Sequence, residues 1–215
     1  MAATSYTIFI KWPFQESTIN PHKIPVANGC LTLIENFIPC SDQQALFSTL
    51  ESQLSWQQDQ LKLFGRIVSI PRLQSFMGDA GIEYTYSNLL MKACPWLPFM
   101  LTLKQQIETA SCSQFNTVLA NLYRNGQDSM GWHSDDEPEL RRNPTIASLS
   151  LGEKRRFLLR PKGSKSASVE IPLDSGSLLI MSGELQHYWQ HSIPKTARKI
   201  QPRINLTFRQ TYSTH

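Results

Sequence analysis

The sequence predicts a mainly-β α+β fold in which helices come first and an antiparallel sandwich or barrel follows. Three observations predict it. Helix-start residues stand at Ser41 and Pro98, short apolar runs separated by Gly, Pro, Ser and Asn follow Phe115, and Arg203-Ile204-Asn205-Leu206-Thr207-Phe208-Arg209 alternates polar and apolar at every step. Many short strands with turn residues between them are the pattern of antiparallel sheets packed face to face or closed on themselves.

In chain order, residues 1–29 carry three prolines and little periodicity, and read as an arm or a loosely packed edge. Ser41 is a good N-cap with Gln44 at the capping-box position, and Ala45, Phe47, Leu50 and Leu54 follow. Pro98 suits the first turn of a second helix that runs to about Ala110, with Phe99, Leu103 and Ile107 apolar. Strands are expected at 117–123, 146–151, 156–160, 168–171, 177–181 and 203–210.

Composition narrows the class. A chain of 215 residues suffices for one domain with a core, and 40% hydrophobic with 18% charged residues is the balance of a folded, water-soluble protein. No apolar run approaches the ~20 residues of a membrane span, and the N-terminus lacks the basic and apolar regions of a secretory signal. An intracellular protein, in cytoplasm or nucleus, is expected. Cys30, Cys40, Cys94 and Cys112 form no CxxC pair, which argues against a zinc ribbon or a redox dithiol. They are expected to be reduced and mostly buried. Residues 1–100 carry 6 basic and 7 acidic side chains, and the remainder 15 and 10. Between Arg141 and Lys165 there are eight basic residues and one acid, Glu153. Such a run fits either a polyanion such as nucleic acid or a solvated surface.

The chemistry is carried by His133-Ser134-Asp135 and by His191, 58 residues beyond His133. Two imidazoles and a carboxylate are the ligands of a non-haem Fe(II) site that keeps positions open for a cosubstrate and oxygen. Residues two apart on a strand share a face, so His133 and Asp135 can aim at one ion. His187 competes with His191 if that stretch is helical. The alternating stripe supplies the second half of the site. Ile204, Leu206 and Phe208 can face a core, while Arg203, Asn205, Thr207 and Arg209 face a cavity. Two inward arginines are costly unless they meet anions, and a dicarboxylate would satisfy them bidentately. Asn121 and Tyr123, also two apart, could add neutral donors.

Together, Asn121-x-Tyr123, His133-x-Asp135, His191 and Arg203-x-Asn205-x-Thr207-Phe208-Arg209 resemble the AlkB family of Fe(II)- and 2-oxoglutarate-dependent dioxygenases. The similarity runs from about Phe64 to Gln210. Pro71-Arg72, Gly78-Asp79-Ala80-Gly81 and Tyr84-Thr85-Tyr86-Ser87 match the family upstream of its core, most like the branch that repairs alkylated nucleic acid. The resemblance implies a double-stranded β-helix (jelly roll) behind a nucleotide-recognition lid. Residues 1–29 would be an extension to a single domain over 30–215, with helices and lid in 30–115 and the jelly roll in 116–215. It further implies iron held by His133, Asp135 and His191. The 2-oxoglutarate would meet Asn121, Tyr123, Arg203, Asn205, Thr207 and Arg209. By the family's chemistry, 2-oxoglutarate and O2 yield succinate, carbon dioxide and an oxidant for an N-methyl group, whose hydroxymethyl product sheds formaldehyde.

Bases such as 1-methyladenine and 3-methylcytosine are cationic, so their pocket should offer aromatic faces and carboxylates. Tyr84 and Tyr86, flanking Thr85, supply faces. Asp136 is the first choice for base recognition, with Glu137 beside it. Leu63-Phe64-Gly65 stands where duplex-acting relatives carry an aromatic finger. There Phe64 would fill the vacated stack, Gly65 would permit the turn and Arg66 would hold a phosphate. Arg72 would touch backbone or the orphaned base. Basic residues at 154–156 and 160–165, with Lys195, Arg198 and Lys199, would grip phosphates at the mouth. The expectation is a monomer repairing alkylated, double-stranded DNA, with no membrane partner. RNA demethylation, a catalytically silent nucleic-acid-binding jelly roll, and oxidation of protein or lipid are the alternatives.

Overall fold

The computed structural model of the chain describes residues 20–63, 65–86 and 89–212. Two antiparallel strands, β1 (Pro21–Ile24) and β2 (Cys30–Ile34), lead into helix α1 (Cys40–Gln53). A hairpin of β3 (Gln60–Leu63) and β4 (Arg66–Ser69) follows, then β5 (Leu73–Gly78) and a second hairpin, β6 (Glu83–Tyr86) and β7 (Leu89–Lys92). Helix α2 (Pro98–Ser111) precedes the remaining strands: β8 (Thr117–Tyr123), β9 (Met130–His133), β10 (Ile146–Gly152), β11 (Arg155–Pro161), β12 (Val169–Leu173) and β13 (Leu178–Ser182). A single helical turn, α3 (Leu185–Tyr188), joins β13 to β14 (Trp189–Ile193), and β15 (Arg203–Arg209) is last.

The strands form a seven-stranded sheet in the order β1-β2-β13-β10-β15-β8-β5 and a four-stranded sheet in the order β12-β11-β14-β9. This is the expected jelly roll. The larger sheet is covered on both faces. On one side Ile204, Leu206, Phe208, Val118 and Ala120 pack with Leu46, Leu50, Met100, Leu103 and Ile107 of the helices. On the other, Leu119, Leu179 and Met181 meet Phe157, Leu159, Ile171 and Ile193 of the smaller sheet. Every residue of β15 is therefore buried, polar and apolar alike.

Several expectations are corrected. The sheet core is not confined to the C-terminal half, because β1, β2 and β5 complete the larger sheet. Residues 21–24 of the expected arm pair in register with 31–34. Ser41 does not cap α1. The extended N-cap is Pro39, whose fixed φ steers the chain into the helix, and Ser41 Oγ instead donates to Asp42 Oδ1 at 3.1 Å. All four cysteines are exposed: Cys30 and Cys40 begin β2 and α1, Cys94 lies in the connection between β7 and α2, and Cys112 ends α2 in the left-handed region at φ 49°. Among the described residues, no helix is long and apolar enough to cross a membrane.

Candidate active site

The inner face of the larger sheet gathers the predicted polar stripe. Antiparallel register sets Arg203 opposite Tyr123, Asn205 opposite Asn121 and Thr207 opposite Leu119, with β10 on the other side placing Ser148 against Thr207 and Ser150 against Asn205. Because these positions are even-spaced on adjacent strands, all project into the space between the sheets. That space is a pocket of about 460 Å3, counting its open mouth, lined also by Met130, Phe157 and Met181.

The smaller sheet supplies the facing side. His133, at the end of β9, stands opposite His191 on β14. Ligand atoms of His133, Asp135 and His191 all lie within 4.8 Å of one another, so the three can hold one ion. His187 is excluded as the third ligand: it lies in the α3 turn and is exposed, whereas His191 is buried on a strand. The His133 and His191 rings are edge-on at 4.2 Å between centroids, and Phe157 stacks on His191 at 5.1 Å, which fixes its plane. His133 Nδ1 lies 3.0 Å from the Gly131 carbonyl, which favours a proton there and leaves Nε2 as the lone-pair ligand.

The electrostatics suit a cation. Burial pulls the His133 imidazole below its ordinary value against the pull of Asp135. Burial and then repulsion by His133 take His191 down to about 3, so its ring is neutral at physiological pH. Burial raises the Asp135 carboxyl, but Arg209 first, then His191 and His133, more than reverse this and set it at about 2. Arg209 Nη2 donates to Asp135 Oδ1 at 2.9 Å, while the buried Oδ2 has no hydrogen-bond donor among the described residues. Two neutral imidazoles and one ionised, half-satisfied carboxylate are a donor set that fits ferrous iron.

Arg203 shows what the cosubstrate must provide. It is 1% exposed; Nη2 donates to Ser150 Oγ at 2.9 Å, but Nε and Nη1 find no acceptor among the described residues. Burial lowers its guanidinium to about 10. An incoming carboxylate would satisfy both free nitrogens. Asn205 is more of a strut: its Nδ2 donates to Ser148 Oγ and the Leu149 carbonyl, and its Oδ1 accepts from Thr207. Asn121 Oδ1 accepts from Arg72 Nε at 2.7 Å and Gln74 Nε2 at 3.1 Å, which leaves the Asn121 amide nitrogen as the donor available to the pocket.

That contact corrects the role expected of Arg72. It is 3% exposed, too deep for DNA backbone or an orphaned base, and it orients Asn121 instead. Tyr84 is 1% exposed and tilts against Phe76, with the Arg209 guanidinium 5.9 Å from its ring centroid. Glu137 lies beside Tyr84, and burial, then Asp135, push its carboxyl up to about 7. Asp136 is at the exposed rim, where its carboxylate meets Lys162 Nζ at 2.6 Å; Thr85 is exposed too. Gly65 turns the β3–β4 hairpin at φ 79°, a conformation glycine adopts without strain. Phe64 lies outside the described residues, as do the side chains of Arg66 and Tyr86.

The basic run is largely committed locally. Arg155 is 4% exposed and donates to the carbonyls of Asp128 and Pro194, so it holds loops together and cannot reach a phosphate. Lys154 pairs with Asp174, Arg156 with Glu170, and Arg160 lies 4.2 Å over the Trp132 ring. Lys195, Arg198 and Lys199 are exposed, and no ion pair among the described residues involves them. Sequence reasoning missed Ser148, Ser150, Gln74 and Gln186. The alternation Ser148-Leu149-Ser150-Leu151 carried the signal for the serines; nothing local marked the glutamines.

Residues 30–209 match the 2OG-Fe(II) oxygenase superfamily. Alpha-ketoglutarate-dependent dioxygenase alkB homolog 3 of Bos taurus is 41% identical over 197 residues, 87% of this chain and 68% of that protein. The Homo sapiens DNA oxidative demethylase ALKBH2 is 36% identical over 184 residues, 81% and 70% of the two chains. The solved structure of OsALKBH1 shares the fold, with a TM-score of 0.63 at 18% identity over 88% of this chain and 100% of that one. The chain belongs to the AlkB family of the 2OG-Fe(II) oxygenases, and it is a dioxygenase that uses Fe(II) and 2-oxoglutarate.

Proposed function

We propose that this dioxygenase removes N-alkyl groups from damaged bases, 1-methyladenine and 3-methylcytosine, in double-stranded DNA. One observation carries the reading: the His133–Asp135–His191 cluster shares one pocket with Arg203, whose Nε and Nη1 have no acceptor among the described residues, and Glu137, a carboxyl suited to a cationic base, is close enough to Asp135 to be pushed up by it. The names of the relatives, alkB homolog 3 and DNA oxidative demethylase, support the same class.

In this reading His133, Asp135 and His191 hold the iron. Arg203 takes one carboxylate of 2-oxoglutarate, and Asn121, Tyr123, Asn205 and Thr207 shape its seat. Bound iron with 2-oxoglutarate and O2 supplies the oxidation of the N-methyl carbon, and the hydroxymethyl group leaves as formaldehyde. Arg209 holds the Asp135 carboxylate and keeps it ionised. Phe157, Met181 and Leu119 line the pocket with apolar surface that excludes water. Glu137, joined by Asp136 from the rim, favours a positively charged base, and Tyr84, 1% exposed, backs Glu137 instead of offering the base a face. Phe64, between β3 and β4 in sequence, fills the gap left by the extruded base, with Arg66 on the backbone. The chain from β1 onward acts as one monomeric domain, since β1 is part of its larger sheet.

Mass spectrometry of methylated oligonucleotides after incubation with Fe(II), 2-oxoglutarate and ascorbate tests this. Demethylation of duplex DNA, with Phe64→Ala losing duplex but not single-strand activity, is expected. Turnover of RNA alone, or equal loss on both strand forms, would overturn the duplex assignment. No turnover of any nucleic acid would remove the substrate class.

A further inference from the structure

Asp135 lies beyond the end of β9, so no strand ladder holds it. The register that sets His133 opposite His191 would bring Asp135 opposite Trp189, but the β9–β14 pairing does not extend that far. Two side chains stand in for the missing rungs. Ser134 Oγ donates to the Trp189 carbonyl at 2.8 Å, and the Asp135 backbone N–H donates to Gln186 Oε1 at 2.9 Å.

Gln186 is 1% exposed, and its other end is spent on a weak acceptor, Met181 Sδ at 3.7 Å. A buried amide with so poor a partner on one side is expensive as a space filler, and a leucine or methionine would serve that purpose better. Its acceptor oxygen is the part with a strong partner. The turn that carries it is braced in turn: Trp189 Nε1 donates to the Ala27 carbonyl at 2.8 Å, and Gly29 approaches so closely that an added Cβ would sit 2.9 Å from the Leu185 Cα. Arg209 fixes the Asp135 carboxylate through Oδ1, and Gln186 fixes its backbone. Between them the remaining oxygen, Oδ2, has a defined aim.

We propose that Gln186 is a positioning residue for the metal centre, acting through the Asp135 backbone; this rests on the reading of His133, Asp135 and His191 as iron ligands. Anaerobic titration with Co(II), read by its d–d absorption, measures affinity and ligand geometry apart from turnover. Gln186→Met is expected to weaken Co(II) binding about 10–100-fold, the range for lost outer-shell partners, and to alter the absorption bands, while the metal-free melting temperature moves little. Gln186→Glu retains an acceptor oxygen and is expected to restore affinity and spectrum. Ser134→Ala removes the companion bond to the Trp189 carbonyl and leaves Gln186 in place, and is expected to weaken binding in the same direction, by roughly 3–10-fold, the equivalent of one hydrogen bond.

Co(II) affinity and bands unchanged in Gln186→Met, a glutamate variant as weak as the methionine variant, or unchanged binding in Ser134→Ala would each overturn the proposal. Failure of the unsubstituted protein to bind Co(II) would instead overturn the metal assignment beneath it.

Discussion

Replacing Arg203 by methionine should make the metal-free protein more stable and abolish its response to 2-oxoglutarate. The guanidinium is held at about 10 instead of 12.5 by burial. At about 1.36 kcal/mol per pKa unit, that difference corresponds to a cost of about 3 kcal/mol for keeping it charged in the fold. The sign follows from linkage: a cation with a lowered folded pKa destabilises the fold at every pH below about 10, and the cost fades as pH rises from there towards 12.5. Methionine keeps much of the aliphatic stem and drops the charge, at the loss of the charge-assisted bond to Ser150 Oγ, worth about 2 kcal/mol. The net gain of about 1 kcal/mol should raise the melting temperature by roughly 2–4 °C in a chain of this size.

The same substitution removes the cation proposed to meet the cosubstrate carboxylate, at an expected cost of about 2–5 kcal/mol of binding. Melting would be followed by scanning fluorimetry with Mn(II), with and without 2-oxoglutarate. At about one hundred times its dissociation constant the ligand adds about 2.7 kcal/mol to the unsubstituted protein, a rise of roughly 5–10 °C. In Arg203→Met that rise should shrink to about 3 °C or less. A variant that melts below the parent would refute the claim that this charge is uncompensated. A retained 2-oxoglutarate response would remove Arg203 from the site.

Two further outcomes are expected. A Cβ added at Gly126 would sit 2.5 Å from the Thr196 carbonyl oxygen, so Gly126→Ala should push the 194–200 loop outward at a cost of about 1–3 kcal/mol; fluorescence anisotropy should then show weaker oligonucleotide binding with the 2-oxoglutarate melting response intact, and unchanged binding would exclude this loop from the nucleic-acid surface. The triple substitution of Lys195, Arg198 and Lys199 by alanine should flatten the plot of log affinity against log salt by about 0.9 per lost duplex phosphate contact, and an unchanged slope would place the phosphate contacts elsewhere.

What the sequence disclosed and what it hid divide along physical lines. The β15 stripe was legible because strand periodicity is strict and both arginines fall on one parity, and its partners Asn121 and Tyr123 share that parity on β8. His133 and Asp135 were legible for a partly mistaken reason: the motif predicted one extended face, but Asp135 lies past the strand and owes its aim to Gln186 and Arg209. Those two contacts join residues 51 and 74 positions apart, which no local pattern encodes. The hairpins β3–β4 and β6–β7 escaped notice because each strand is four residues long, too short to show a period, and outward apolar residues such as Ile67 and Leu90, 72% and 55% exposed, break the polar–apolar alternation. The basic run was visible as composition, but its neutralising partners Glu170, Asp174 and Asp136 come from other strands and loops.

The burial of both faces of the larger sheet explains how one domain tolerates so many unsatisfied groups. Ile204, Leu206 and Phe208 are fully enclosed against the helical layer, and each such side chain contributes about 1.5–3 kcal/mol. That outer layer offsets the inner one, where Arg203 and Asp135 are buried with atoms that have no hydrogen-bond partner among the described residues. The two layers share strands but not side chains, because consecutive residues on β15 point to opposite sides. Stability and chemistry can therefore be altered separately. A change at Leu206 should lower stability while leaving the pocket's polar geometry in place, whereas the Arg203 substitution should do the reverse, gaining stability at the expense of function. The same separation predicts the ligands' effect on the fold: bound at the proposed site, iron and 2-oxoglutarate would supply partners to Asp135 and Arg203 on the inner face, so binding them should raise stability.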